Sequence, residues 1–185
     1  GFARGQTFTI TAAGSLAADG FAGTASGFGT FDNLDVLIGS AASDTFNGLA
    51  SDSTYAVTGT KSGSYTALGR TLAFSAVDVL NGQSAADTLN FSGMGSGAAI
   101  HLTSANSYGF AGTDATSAIA FSGIDSVAGS SHTDSLTGLD TDATFEIDGS
   151  ERYLTGSYAL NLSGIENLIG GSGNDLFDVR AAHTG

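Results

Sequence analysis

Apolar and polar residues alternate in four short stretches of this chain: Phe8 and Ile10 in TFTIT, Tyr55 and Val57 in TYAVT, Ile100 and Leu102 in AIHLT, Phe145 and Ile147 in TFEID. Alternation at every second residue buries one face of an extended strand and leaves the other in water. The first members of these pairs lie 47, 45 and 45 residues apart. The strand therefore recurs at a nearly constant period.

A second unit recurs between these strands, aligned without a gap. It reads FDNLDVLIGSAASDTF from Phe31, FSAVDVLNGQSAADTL from Phe74, FSGIDSVAGSSHTDSL from Phe121 and LSGIENLIGGSGNDLF from Leu162. An aliphatic residue holds the fourth position (Leu34, Val77, Ile124, Ile165) and the seventh (Leu37, Leu80, Val127, Leu168). An acid sits between them at the fifth (Asp35, Asp78, Asp125, Glu166). Glycine holds the ninth (Gly39, Gly82, Gly129, Gly170) and aspartate the fourteenth (Asp44, Asp87, Asp134, Asp175). A large apolar residue closes each block (Phe46, Leu89, Leu136, Phe177).

Short strands punctuated by Gly, Asn and Asp at this period predict an all-β solenoid, because stacked coils place like residues above like. The expectation is a parallel β-helix of about eight coils of roughly 20 residues, two coils per 41–47-residue repeat, forming a rod of roughly 40 Å at the usual strand spacing. Residues 1–185 then form a single solenoid with approximate repeats 8–54, 55–99, 100–144 and 145–185. Two coils per repeat would put the four aspartates of the fourteenth position on one side of the rod. They would likewise bring Phe8, Tyr55, Ile100 and Phe145 into one ladder. The glycines and aspartates are read as a structural turn ladder, glycine supplying a turn that a side chain forbids and aspartate accepting turn amides. The absence of proline fits a wall in which inner coils donate amides to their neighbours.

TFEIDG and GSYALNLSGIENLIGGSGNDLFDV resemble the repeats of very large bacterial secreted and surface proteins, notably filamentous-haemagglutinin-like adhesins. Gly170 to Asp178 also resembles the G-G-x-G-x-D-x-U-x nonapeptide of repeats-in-toxin (RTX) proteins, which winds into a calcium-loaded β-roll. The likeness spans nearly the whole chain, with SGIENLIGGSGND carrying most of its specificity. It implies a right-handed parallel β-helix, an extracellular or cell-surface address, and a role as stalk, fibre or adhesive array. The chain departs from the RTX pattern by holding one good nonapeptide where those segments run several in tandem. The other three blocks read GSAASD, GQSAAD and GSSHTD at that place, so a hydrogen-bonded turn is the simpler reading. Calcium at Asp175 is its competitor. No other cofactor is expected.

Composition narrows the function. Five Lys and Arg against 18 Asp and Glu give a net charge of −13, which offers no basic footprint for nucleic acid and is repelled by anionic lipid. No segment reaches the roughly 18 apolar residues of a membrane span, so no membrane insertion by this segment is expected. GFARGQTFTI lacks the basic-then-apolar order of a signal peptide, and the pattern starts and stops midway, so the chain reads as a fragment of something longer. Zero Cys excludes disulfides and thiolate metal sites.

Catalytic chemistry finds little support. Ser131, His132 and Asp134 are too close in sequence to converge as a triad. His101 and His183 have no sequence partners for a metal site. Gly93 to Gly97 is glycine-rich, but no helix or Walker lysine follows it, so it reads as a crossover. The acids recur in every block, as structural residues do, and the five bases are scattered. Outward residues begin as Thr7, Thr9 and Thr11 but end as Glu146 and Asp148, against a flat ice-binding threonine array. The expected function is a non-enzymatic structural or adhesive stalk or fibre segment of a large extracellular bacterial surface protein. Its partners would be neighbouring solenoid repeats or copies of itself. The alternatives are a glycan-binding module for surface polysaccharide and a self-stacking filament subunit. Tyr65, Tyr108, Tyr153 and Tyr158 are the candidate stacking platforms, and each could equally cap the core.

Overall fold

The computed structural model describes residues 4–16 and 20–181. Among them are twenty strands and no helix, and the strands fall into four groups of five. The first group is β1 (Thr7–Ala13), β2 (Phe21–Ala25), β3 (Gly29–Leu34), β4 (Val36–Ile38) and β5 (Thr45–Asn47). The second is β6 (Ser53–Gly59), β7 (Ser62–Ala67), β8 (Arg70–Ser75), β9 (Val79–Asn81) and β10 (Asp87–Asn90). The third is β11 (Ala99–Asn106), β12 (Gly109–Asp114), β13 (Ile119–Ile124), β14 (Ser126–Ala128) and β15 (Ser135–Thr137). The fourth is β16 (Ala143–Ile147), β17 (Arg152–Thr155), β18 (Tyr158–Ser163), β19 (Asn167–Ile169) and β20 (Asp175–Val179).

The first three strands of each group form an antiparallel meander, which the sequence pattern does not announce. Four of their turns are two residues long. Leu68 and Gly69 join β7 to β8 with φ of 52° and 71°, the two positive values that match a hairpin to the right-handed twist of its strands. The fourth and fifth strands pair in parallel, the fifth with the first strand of its own group and the fourth with strands of neighbouring groups.

Two ten-stranded sheets result. The front sheet runs β3-β2-β1-β5-β9-β13-β12-β11-β15-β19, and the back sheet runs β4-β8-β7-β6-β10-β14-β18-β17-β16-β20. The chain starts in the front sheet and returns to it with β5, β9, β11, β15 and β19, making about five turns of a β-solenoid. The expected eight coils become about five because each meander adds two strands without turning. Ten strands at about 4.8 Å still give a stack of about 43 Å.

One group visits the sheets three times, so a repeat makes one and a half turns instead of two. Successive repeats therefore open in opposite sheets, with β1 and β11 in front and β6 and β16 behind. This corrects the single ladder expected of Phe8, Tyr55, Ile100 and Phe145. Phe8 and Ile100 line the front sheet, and Tyr55 and Phe145 the back.

Between the sheets lies one continuous apolar core. Leu37, Phe46, Val77, Leu80, Leu89, Ile124, Val127, Leu136 and Ile165 are buried in it, as their block positions require. Each meander adds an aromatic from its middle strand: Phe21, Tyr65, Phe110 and Tyr153, all fully buried. Tyr65 packs edge-on to Phe46 at 5.1 Å, and Tyr153 lies 4.9 Å from Phe145. Such pairs gain about 1 kcal/mol beyond the area they bury.

Leu80 has no exposed surface, whereas His132 is exposed. Leu80→Ala should cost about 2–5 kcal/mol in denaturant unfolding, and His132→Ala less than about 0.5 kcal/mol. Equal losses would refute this assignment of inside and outside.

Candidate functional site

All strands except the middle ones of the meanders run the same way within a sheet, because they are linked by parallel pairs or by two antiparallel steps. The chain therefore passes from back to front on one flank of the rod and from front to back on the other. The recurring acids sit at these crossings. Asp44, Asp78, Asp134 and Glu166 lie on the first flank, and Asp35, Asp87, Asp125 and Asp175 on the second. The expectation that Asp44, Asp87, Asp134 and Asp175 share one side is thus overturned. Copies alternate because a repeat contains a half turn.

Within each flank the acids perform the same task. The amides of Asp44, Asp87 and Asp134 donate to the carboxylates of Asp78, Asp125 and Glu166 in the next repeat, at 2.9, 3.0 and 2.6 Å. The carbonyls of the same three residues accept in return from the amides of Asp78, Asp125 and Asn167. Their own carboxylates close the loop behind them, accepting from the amides of Ser40, Gln83 and Ser130. The second carboxylate oxygen reaches back to the start of the repeat, to the Gln6 amide, the Ser53 hydroxyl and the Ala98 amide. Asp44, Asp87 and Asp134 are completely buried. Buried amides and carboxylates thus satisfy one another, which a wall of short crossings needs.

The glycines have a different reason from the one expected. Gly39, Gly82 and Gly129 are not in the left-handed region. Each instead lies against a carbonyl of the next repeat, of Ala76, Gly123 and Gly164, at a place where a Cβ would overlap the oxygen. Those carbonyl residues hold φ of 53°, 66° and 60°, and Asn33 holds 54°. The left-handed turn belongs to the third residue of each block.

GGSGND occupies the same crossing in the fourth repeat. A Cβ on Gly170 would meet Asp175 Oδ2 at 2.5 Å, and Asp175 Oδ1 is buried with no hydrogen-bond partner. The Ser172 and Asn174 amides donate to Asp140 and Asp142 at 3.1 and 2.8 Å, so these carboxylates close the turn. Among the described residues no three His, Cys, Asp or Glu side chains gather as a metal-binding group.

The tyrosines divide. Tyr65 and Tyr153 are core residues, correcting their candidacy as stacking platforms; their hydroxyls accept the Leu49 and Leu139 amides at 2.8 and 2.7 Å. Burial pushes both phenols above their ordinary value. Tyr108 and Tyr158 are exposed, by 56% and 37%. Tyr158 borders a groove of about 520 Å³ lined with His101, Thr103, Asp140, Thr141 and Thr155. His132 lies exposed on its loop, and His183 lies outside the described residues. Gly93 to Gly97 forms the crossover from β10 to β11 and buries Met94. No helix among the described residues is long and apolar enough to cross a membrane.

Two further features escaped the sequence reading. Thr9, Asn47, Asn81 and Ser122 form a side-chain hydrogen-bond ladder across the front sheet, with steps of 2.9, 2.8 and 2.6 Å. The buried middle-strand aromatics recur 44, 45 and 43 residues apart, a spacing that could have revealed the meanders. Comparison with protein-family models, with curated proteins and with solved structures finds no match to this chain.

Gly82→Ala should cost about 2–4 kcal/mol, because the Gly123 backbone cannot withdraw from the new methyl. Gly170→Ala, which meets only the side chain of Asp175, should cost less in the same melts. The reverse order would show that glycine serves local turn geometry.

Acids of the ladder should respond to pH with opposite signs. Burial pushes the carboxyl of Asp87 above its ordinary value, against hydrogen bonds from Ser53 and Gln83. Burial also opposes ionisation of Asp78, but the Lys61 ammonium bound to it and the Asp44 amide hold it below its ordinary value. A raised carboxyl stabilises the fold below its unfolded pKa and loses that contribution as pH rises through the folded value; a lowered one does the opposite. As pH falls from 7 to about 4, the parent should gain stability relative to Asp87→Asn, and as pH falls further, from about 4 to about 2, it should lose stability relative to Asp78→Asn. Thermal melts in which both differences move the same way would contradict this.

Proposed function

We propose that the chain is a structural, adhesive segment, a stalk or fibre, of a large extracellular bacterial surface protein. The observation that carries this reading is the use of the recurring acids. The carboxylates of Asp44, Asp87 and Asp134 are each held by an amide of their own crossing and by an amide or hydroxyl at the start of the repeat, repeat after repeat, on alternating flanks. Carboxylates bound in this way hold a rod together and have no lone pairs aimed at a substrate. The axial hydrogen bonds run in series between the two ends of the stack, as suits a spacer under tension. The likeness of SGIENLIGGSGND to adhesin repeats supplies the address.

A second reading, binding of surface polysaccharide, is favoured by Tyr158 beside its groove of hydroxyl and carboxylate groups. An exposed phenol ring next to hydrogen-bonding side chains is suited to stack on a sugar.

Protease treatment of intact producing cells should release peptides of this segment, and a glycan array probed with the purified chain should stay blank. Peptides recovered only after lysis would refute the surface stalk. Saturable sugar binding that is lost in Tyr158→Ala would replace it with the glycan module.

A further inference from the structure

Asparagine followed by glycine is the pair most prone to lose its side-chain amide in water, and this chain holds two of them, Asn47-Gly48 and Asn81-Gly82. In that reaction the glycine nitrogen attacks Cγ of the asparagine and a C–N bond forms. The side-chain nitrogen leaves as ammonia, taking the proton that the glycine nitrogen gives up. Water then opens the succinimide ring at one of its two carbonyls, leaving aspartate or isoaspartate. Glycine speeds ring closure because it has no side chain to hinder the turn.

Packing demands both members of each pair. A Cβ on Gly82 would overlap the Gly123 carbonyl, and one on Gly48 would meet the Tyr55 hydroxyl and the ring of Tyr65. Asn47 and Asn81 stand opposite each other on β5 and β9, inside the front sheet, and supply the middle rungs of its side-chain ladder. Two requirements of the fold thus meet, twice, in a labile sequence.

The same geometry holds the reacting atoms apart. In an extended strand the side chain stands off the sheet while the next amide lies in its plane. The Gly48 amide donates to the Asn81 carbonyl at 2.9 Å, and the Gly82 amide to the Ser122 carbonyl at 2.8 Å. The carboxamides are tied as well. Asn47 Nδ2 donates to Thr9 Oγ1 at 2.9 Å, Asn81 Nδ2 to Asn47 Oδ1 at 2.8 Å, and the Ser122 hydroxyl to Asn81 Oδ1 at 2.6 Å.

We propose that this ladder is a chemical shield for the two Asn-Gly pairs, and that Asn106, in the β11–β12 turn, is the first asparagine to deamidate in the folded chain. Asn106 precedes Ser107, a slower partner than glycine in a free chain. It is nevertheless exposed, and its carbonyl oxygen accepts the Tyr108 amide at 2.8 Å, which holds the carboxamide against the chain that follows. A shielded site reacts only when the structure opens locally, so its rate follows the population of the open state. Strands β5 and β9 have partners on both sides, and opening them costs more than opening a turn.

The ladder also has a direction. Deamidation at Asn81 removes the Nδ2 donor and turns a carboxylate toward Asn47 Oδ1, so Asn47 loses its own restraint. Isoaspartate would add a backbone atom to β9 and shift its register. Damage therefore passes from Asn81 to Asn47. A segment displayed outside a cell is not renewed in place, so such a shield suits the fibre reading, although its chemistry stands on the ladder alone.

The test is prolonged warm incubation of the purified chain at mildly alkaline pH, folded and in urea, with peptide mapping by mass spectrometry. The amide-to-acid mass gain is read at each asparagine. In urea, Asn47 and Asn81 should react ahead of Asn106; in the folded chain the order should reverse. Ser122→Ala should raise the folded rate at Asn81 about three- to tenfold, the factor one hydrogen bond supports. Asn47 should follow Asn81, and Asn106 should be unchanged. Ser122→Thr, which keeps the hydroxyl, should restore protection. Thr9→Val tests Asn47 independently if Ser122→Ala loses its circular dichroism spectrum. Asn47 or Asn81 reacting as fast in the folded parent as in urea would overturn the shield. Ladder variants that keep the parent's rates would overturn the role of the side chains. Peptides shaved from intact cells bear on the stalk alone, so either reading can fail without the other.

Discussion

A chain that crosses repeatedly between two sheets has to turn without leaving buried amides unmet, and the rest of this structure follows from how it does so. An unpaired buried amide or carboxylate costs about 1–3 kcal/mol or more. Here the carboxylates of Asp44, Asp87 and Asp134 each receive amides or a hydroxyl from two directions, and their own amides pass to an acid of the next repeat. The acid of one crossing is therefore the scaffold of the next. Close stacking of the crossings forces glycine at the ninth position of the first three blocks, where the following carbonyl leaves no room for a methyl. It also selects a left-handed third residue, because that carbonyl has to be turned toward the glycine.

Spacing of the crossings sets the half turn per repeat, and the half turn governs the character of the rod. Alternate repeats face the same way, so residues about two repeats apart do the same work. Gly48 and Leu49 pack on Tyr65 as Gly138 and Leu139 pack on Tyr153. Acids that would make a single charged stripe on a two-turn repeat are divided between two flanks. Within a flank the like charges stand close, and Asp125 beside Asp87 adds to the burial that raises the Asp87 carboxyl.

The strongest sequence signals were those with fixed offsets inside a block. Leu80, Ile124 and Leu136 lie in the core because an apolar residue that recurs at one place in a stacked unit has to face the same interior. The strands at Tyr55 and Phe145 were legible by alternation. The meanders were not, because the strands that hold Phe21, Tyr65, Phe110 and Tyr153 are short and separated by loops of variable length. A period of about 45 residues is compatible with two full turns or with one and a half turns and a hairpin excursion, and composition does not distinguish them. The burial of Tyr65 and Tyr153 was hidden for the same reason. Left-handed Ala76 gave no cue, since alanine rarely adopts that conformation, and two glycines among four residues, Gly123 and Gly164, were too weak a pattern to mark the position.

The extra half turn in each repeat is the central claim, and spin labels can measure it directly because the chain has no Cys of its own. Ala41, Ser84 and Ser131 occupy the same exposed position of successive blocks. With cysteine-linked labels introduced in pairs, Ala41 and Ser131 should lie on one flank, five strands apart in the front sheet, at about 24 Å. Ala41 and Ser84 should lie on opposite flanks, separated across the rod by well over half that distance. A distance from Ala41 to Ser84 close to half of that from Ala41 to Ser131 would put all three in one line and contradict the alternation.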